Sequence, residues 1–271
     1  MEIPLFPLHT VLCPGIVLPL HIFEDRYRAL TRHCLDTGEP FGVVLIREGA
    51  EVGASTHTLA LAGVGALVEI REAGRYPDGR YDLLAAATGR FAIETVDPER
   101  EPYLVADVTP LEDDVGDEAR AERLSASAIR RFVRYLELMR ARDGETSEVL
   151  DIRVEVDSQE PGSGSTTSAE DEPELAERAA SGAAAGERSE SGSEDRRRDL
   201  VIPDDPTVLS YLLSGIVQLE LPRRQALLEA ATTVTRLESL IRLLDREVVL
   251  LAHRLRLFSP DAALLRGPRR S

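Results

Sequence analysis

The chain has 271 residues, 43% hydrophobic but only 4% aromatic and without Trp, so a core large enough for one big or two modest domains must be built from Leu, Val, Ile and Ala. Its formal net charge is −16, which opposes sequence-independent attraction to phosphate backbones and anionic lipids. All 32 basic residues are Arg, and without Lys these residues can supply no P-loop lysine, Schiff base or Ser–Lys dyad.

The opening stretch Ile3 to Leu35 reads as two short apolar strands followed by an amphipathic helix. Pro4, Pro7, Pro14 and Pro19 each lack an N–H, so these strands must be edge-like, bulged or short. Pro14-Gly15 marks the turn between them. After Pro19 the spacing of Phe23, Tyr27, Leu30 and Cys34 becomes helical, which predicts one apolar stripe with Phe23 in the core. Glu24 and Asp25 suit the helix N-terminus, and Glu24 with Arg28 forms an expected i,i+4 pair. Phe41 to Ile46 is a β-branched apolar run, expected to be a buried strand, and Thr58 to Leu61 a further short one. Gly63 and Gly65 read as a turn. Ala66–Glu72 and Arg80–Ala87 flank Pro77-Asp78-Gly79 as a hairpin. Phe91–Val96 and Tyr103–Val108 alternate as half-buried strands. Six to eight strands and one helix in about 110 residues favour a closed barrel, because closure removes exposed edges.

From Asp117 the period is helical, with Leu124, Ile129, Phe132, Val133 and Leu136 on one face and an expected end near Gly144. Val149–Val156 alternates like a strand. Glu155 to Asp199 holds thirteen acidic residues against five Arg, a net of −8 and half the charge of the chain, with Val156 and Leu175 its only apolar residues beyond Ala. Such a segment cannot offset the entropy of ordering, so a disordered acidic insertion is expected. Asp205-Pro206 is a helix start, with Asp205 as N-cap. Pro222 opens a short helix, and Thr235 with Glu238 offers a capping box for the last. There Leu237, Ile241, Leu244, Val248, Leu251, Leu255 and Phe258 form a seam that needs a partner surface.

The expected architecture is therefore α+β. A β-barrel subdomain spans 1–112 and a helical bundle spans 113–154 and 203–260, interrupted by the acidic insertion at 155–202 and followed by a basic tail at 261–271. Glu2 and the early prolines do not make a secretory signal, and no uncharged apolar run reaches about 18 residues, so a soluble cytoplasmic protein is expected. Cys13 and Cys34 could be bridged, but reduced buried thiols are the better expectation.

Chemistry is sparse. The five histidines, His9, His21, His33, His57 and His253, show no paired metal-ligand spacing, and no G-x-S-x-G elbow is present, so no catalytic, cofactor or metal residues are assigned. His21 is expected to be a buried or half-buried structural histidine.

One resemblance adds to this reading. IPLFPLHTVLCPG followed by LPLHIFEDRYRAL resembles the opening of the LON substrate-binding domain, the N-terminal domain of Lon proteases. The likeness continues in FGVVLI, VGALVEIREAGRYPDGRYDLL, GRFAI and PYLVADV, and resumes in RQALLEA and RLESLIRLLDREVVLL. Ala66 departs from the Thr more usual after Val-Gly. The resemblance implies a PUA-like barrel and a non-catalytic module that recognises polypeptide substrates, or an adaptor to a protease or chaperone in quality control. Alternatives are an RNA-binding PUA-like module, opposed by the charge and the few aromatics, and a hydrolase with an unrecognised site. Apolar contact is expected at the proline-rich rim from Phe6 to Pro19 or where barrel meets bundle. Candidate contacts are Phe6, Leu8 and Pro14, with Glu24, Asp25 and Arg26 as exposed neighbours, although Phe6 and Leu8, like Phe23, fit a core role better.

Overall fold

The computed structural model describes residues 1–48, 60–143, 152–155 and 200–258. The chain divides into two units, Met1–Glu148 with Pro203–Ser271, and Val149–Ile202. In the first unit the elements are β1 (Glu2–Leu8), β2 (Val17–Ile22), α1 (Asp25–Thr37), β3 (Phe41–Glu48), β4 (Ala60–Leu61), β5 (Val64–Arg75), β6 (Tyr81–Asp97), β7 (Leu104–Leu111) and α2 (Glu118–Asp143). In the second unit β8 (Ile152–Glu155) pairs with β9 (Leu200–Pro203). The first unit then resumes with α3 (Pro206–Ile216), α4 (Leu221–Leu228) and α5 (Thr233–Phe258). Most of the acidic stretch, and the basic tail, lie outside the described residues.

The strand pairings close into a ring: β1 with β7, β7 with β6, β6 with β5, β5 with β3, and β3 back to β1. The β1–β3 contact is parallel, so it needs a crossover, which β2 and α1 supply. Strand β1 pairs with β7 through Glu2–Leu5 and with β3 through Leu5–Leu8. Each half therefore has one open edge, which is where Pro4 and Pro7 can sit without losing a ladder bond. The Pro14-Gly15 turn is present, with Gly15 at φ 82°. The hairpin is longer than its flanking runs predict. Gly79 N–H donates to Tyr76 O at 3.0 Å to close the turn, and β6 then runs 17 residues without a break. The separate strand expected at Phe91–Val96 is the far half of β6, which continues through Gly89. Gly65 is not in a turn but inside β5, opposite Phe91.

Alternation along the strands sends side chains to two cores. Phe6, Leu8, Phe41, Val43, Val68 and Leu83 join Tyr27, Leu30 and Cys34 of α1. Ile3, Leu5, Val44, Phe91, Leu104 and Val108 join Tyr211 of α3 and Leu228 of α4. A sheet covered on both faces explains why β3 reads as a continuous apolar run instead of alternating.

Helices α2 and α5 lie side by side and point the same way: Arg120 pairs with Glu238, and Arg131 with Asp245 at 2.6 Å. The fully buried face of α2 is Ala121, Ser125, Ala128, Phe132, Tyr135 and Leu138. Of the face expected from sequence only Phe132 is fully buried, while Leu124, Ile129, Val133 and Leu136 flank it. Small residues carry this contact, and a hydrophobicity pattern does not register them. In α5, Leu237, Leu244 and Leu251 are buried at seven-residue spacing, with Ile241, Val248 and Leu255 half-buried. Asp205 caps α3 as expected, accepting from the N–H groups of Thr207 and Val208 at 2.7 and 2.9 Å. The cap of α5 is Thr232, whose Oγ1 accepts from the Thr235 N–H at 3.1 Å, so Thr235 is already inside the helix and the proposed Thr235–Glu238 box does not form.

Cys13 and Cys34 are free thiols buried in different cores. Burial pushes Cys13 up to about 11, against the pull of Arg224 and Arg236, and pushes Cys34 up to about 12, with help from Glu39. Folding therefore favours the neutral thiols. That contribution is complete below the unfolded pKa near 9 and is lost as pH rises toward 11 to 12. Between pH 9 and 11 the urea-unfolding free energy should fall by about 1.4 kcal/mol per pH unit for each thiol. A Cys13→Ala/Cys34→Ala variant should show a flatter profile, and an unchanged slope would refute this origin.

Candidate functional site

Three chain segments converge where β2 ends, α1 begins and the β5–β6 hairpin turns, with His21 opposite Asp82 and Ile22 opposite Tyr81. Alternation in β2 turns Leu18, Leu20 and Ile22 inward and leaves Val17, Pro19 and His21 exposed. Glu24 then takes the N-cap position in extended geometry (φ −73°, ψ 140°), and α1 starts at Asp25. This places Phe23 just before the cap, where an apolar residue ordinarily packs on the fourth helical residue. Here that residue is Arg28, which pairs with Asp25 instead. Phe23 is left 53% exposed, so the core role expected for it is incorrect. The expected Glu24–Arg28 pair is also replaced: Glu24 holds Arg26 at 3.0 Å.

Phe23 forms the lip of a groove of about 100 Å³ with His21 and Glu24. The floor is Phe6, Leu8, Leu20, Ile22 and Tyr27. Phe6 stacks on Tyr27 at 4.0 Å between centroids, and the Arg26 guanidinium lies 4.5 Å from the Tyr27 ring centre. The floor is thus an ordered apolar surface.

A polar shoulder adjoins it. His21 Nδ1 lies 2.6 Å from Asp82 Oδ1, and Tyr76 OH donates to the other carboxylate oxygen at 2.5 Å. These two bonds hold Asp82 below the usual carboxylate range, and the same bond raises Tyr76. His21 is therefore exposed and bonded to the Asp82 side chain, not the buried or half-buried structural histidine expected. Its Nε2, the atom a nucleophile would have to meet, faces the Arg80 guanidinium at 3.5 Å. The group orients side chains; it is not arranged as a nucleophile and base.

Of the candidate contacts, Phe6 and Leu8 are buried in the groove floor, Glu24 lies at its lip and Asp25 is exposed on the other side of the helix start. Arg26 is held back against Glu24 and Tyr27, and Pro14 is half-buried and does not line the groove. Sequence reasoning missed Phe23, His21 and Tyr76 as surface groups. The one available signal was Arg28 at the position where a packing partner for Phe23 was required.

The sheet that carries the groove is fastened to the helices by a buried polar knot. Arg90 of β6 donates to the carbonyls of Leu228 and Ala230 at 2.8 and 3.0 Å and to Asp113 at 2.8 Å. Arg236 of α5 donates to Leu227 O, Ser210 Oγ and Tyr211 OH at 3.1, 3.0 and 2.7 Å, while its guanidinium stacks 3.7 Å from the Tyr211 ring centre. Tyr211 OH in turn donates to Asp113. Burial lowers the pKa of Arg236 and raises that of Tyr211, while Asp113 and the hydrogen-bond acceptors around the guanidinium offset the cost of burying its charge.

The first unit is thus a ring of strands with a crossover helix, backed by helices and bearing an apolar groove. The chain matches the profile of the ATP-dependent protease La (LON) substrate-binding domain over residues 2–246 and belongs to that family. Its fold is that of a Lon N-terminal domain protein from Xanthomonas campestris, at a TM-score of 0.50 and 21% identity over 89% of this chain and 98% of that one. It is likewise that of the N-terminal domain of a Mycobacterium avium complex Lon protease, at 0.52 and 15% identity over 90% and 98%. A Lon protease of Flavobacterium johnsoniae is 29% identical over 124 residues, or 45% of this chain, which spans about 15% of that protein's length. No helix among the described residues is long and apolar enough to cross a membrane.

Proposed function

We propose that this domain is a non-catalytic receptor for polypeptide segments, in a protease-linked or adaptor role, and that an apolar side chain of the segment seats in the groove lipped by Phe23. The observation that carries the reading is the 53% exposure of Phe23 directly beside a floor of buried Phe6, Leu8 and Tyr27. An exposed aromatic at the edge of a pre-formed apolar recess is the usual anchor for a partner side chain. With no Lys in the chain, any Ser–Lys proteolysis of what is bound falls to residues outside these 271.

The test is fluorescence anisotropy with a labelled neutral peptide carrying a Leu-Phe-Leu centre and glutamine flanks. Phe23→Asp should weaken binding by about tenfold or more without lowering the melting temperature, because the residue is exposed. Val249→Asp, at a more exposed position on α5, should have no effect. Equal binding by wild type and Phe23→Asp would sink the groove reading.

A further inference from the structure

Immediately across the first turn of α1 from the groove lies a second recess, of about 330 Å³, bounded by Asp25, Arg28, Arg32, Arg75, Gly79 and Tyr81. Successive residues divide between the two: Glu24 and Tyr27 face the groove, while Asp25 and Arg28 face the recess. We propose that the recess receives the side-chain carboxylates of an acidic stretch adjoining the apolar residue in the groove, an inference that rests on the polypeptide-receptor reading above.

Three guanidiniums converge here from two elements, Arg28 and Arg32 one turn apart on α1 and Arg75 at the end of β5. The chain carries 48 acidic residues against 32 basic ones, so carboxylate partners are plentiful. Arg28 uses one, Asp25, and also donates to Asp78 O at 3.2 Å. Arg32 and Arg75 pair with no carboxylate among the described residues. Arg32 donates to Arg28 O at 3.3 Å, and the Arg75 guanidinium lies 5.9 Å from the Tyr81 ring centre. The recess is therefore locally cationic on a protein of net charge −16. Arginine clusters recognise acidic side chains, whereas a terminal carboxylate is usually held by backbone N–H groups. A short acidic peptide feels mainly this local field, since charges beyond a Debye length are screened, while a long polyanion meets the acidic remainder of the surface.

The experiment uses the full chain and two labelled peptides with the same Leu-Phe-Leu centre, one flanked by Asp and Glu and the other by Asn and Gln. At low salt the acidic peptide should bind about fivefold more tightly, as expected for two exposed ion pairs. That ratio should approach one in 0.5 M NaCl and in the Arg32→Gln/Arg75→Gln variant, and should rise in Asp25→Asn, which frees Arg28. Thermal melts report whether each variant is folded. Equal binding of both peptides by the wild type, with Phe23→Asp still weakening both, would overturn the acidic recess and leave the groove standing. Failure of both peptides to bind would overturn both, and tighter binding of an oligouridylate than of the acidic peptide at this recess would overturn the polypeptide assignment.

Discussion

Arg236→Ala should lower the unfolding free energy by about 3–5 kcal/mol, the largest loss expected from any single substitution considered for this protein. The side chain is 1% exposed and serves three acceptors, Leu227 O, Ser210 Oγ and Tyr211 OH. Truncation removes the guanidinium donor from these acceptors, of which Leu227 O keeps a long bond from the Ala230 N–H at 3.4 Å; it also opens a cavity and removes one of two buried guanidiniums that share Asp113. Asp113 is 31% exposed on its side chain and so stays partly solvated, which keeps the expected loss within the range for a single broken buried pair. Arg236→Met retains most of the volume and should cost less, because an apolar isostere avoids the cavity and the desolvated charge. Tyr211→Phe removes one hydroxyl from the same knot and should cost about 1–2 kcal/mol. Urea titration of the three variants orders them; a loss below 1 kcal/mol for Arg236→Ala would show that the knot is dispensable.

Gly65→Ala comes second, at about 3 kcal/mol of destabilisation, the upper part of the usual overpacking range. A Cβ at this position would lie 2.5 Å from Cζ of Phe91 and 2.6 Å from the carbonyl oxygen of Val43. The ring can move, but the carbonyl belongs to β3, whose pairing with β5 holds the strand ring together. Gly42→Ala meets only side chains, Phe91 at 2.6 Å and Leu5 at 2.8 Å, and should cost less. Adding Phe91→Leu therefore should restore more stability to Gly42→Ala than to Gly65→Ala. Equal rescue in the two double-mutant cycles would remove the backbone clash as the cause.

Gly65 shows where sequence reading stops. Beside Gly63 it looks like a turn residue because the local pattern records only the missing side chain. What requires Gly65 is Phe91, 26 positions away on the adjacent strand, whose ring fills the space over Gly65 and Gly42. The same limit explains Phe23. Its spacing to Tyr27 and Leu30 fits a helical stripe, but the helix starts two residues later, at Asp25, and the stripe begins at Tyr27. On α2 the buried face was misplaced because Ala121, Ser125 and Ala128 pack closely without being strongly hydrophobic. Asp205, by contrast, was legible in full, since an N-cap and the proline after it act within one turn of chain.

The sequence by itself determined the strand alternation, the change to helical period after Tyr103–Val108, the α5 seam of Leu237, Leu244 and Leu251, and the ordered motifs that place the chain in its family. Those features arise from neighbours within a turn or a pleat, where residue spacing and backbone geometry are directly coupled. Only the tertiary structure decided the parallel closure of β1 on β3, the exposure of Phe23, the convergence of Arg28, Arg32 and Arg75, and the Arg90–Asp113–Tyr211–Arg236 knot. Each depends on groups brought together from distant positions, Arg90 and Leu228 being 138 residues apart. Such contacts follow from the packing of whole elements, and local periodicity carries no record of them.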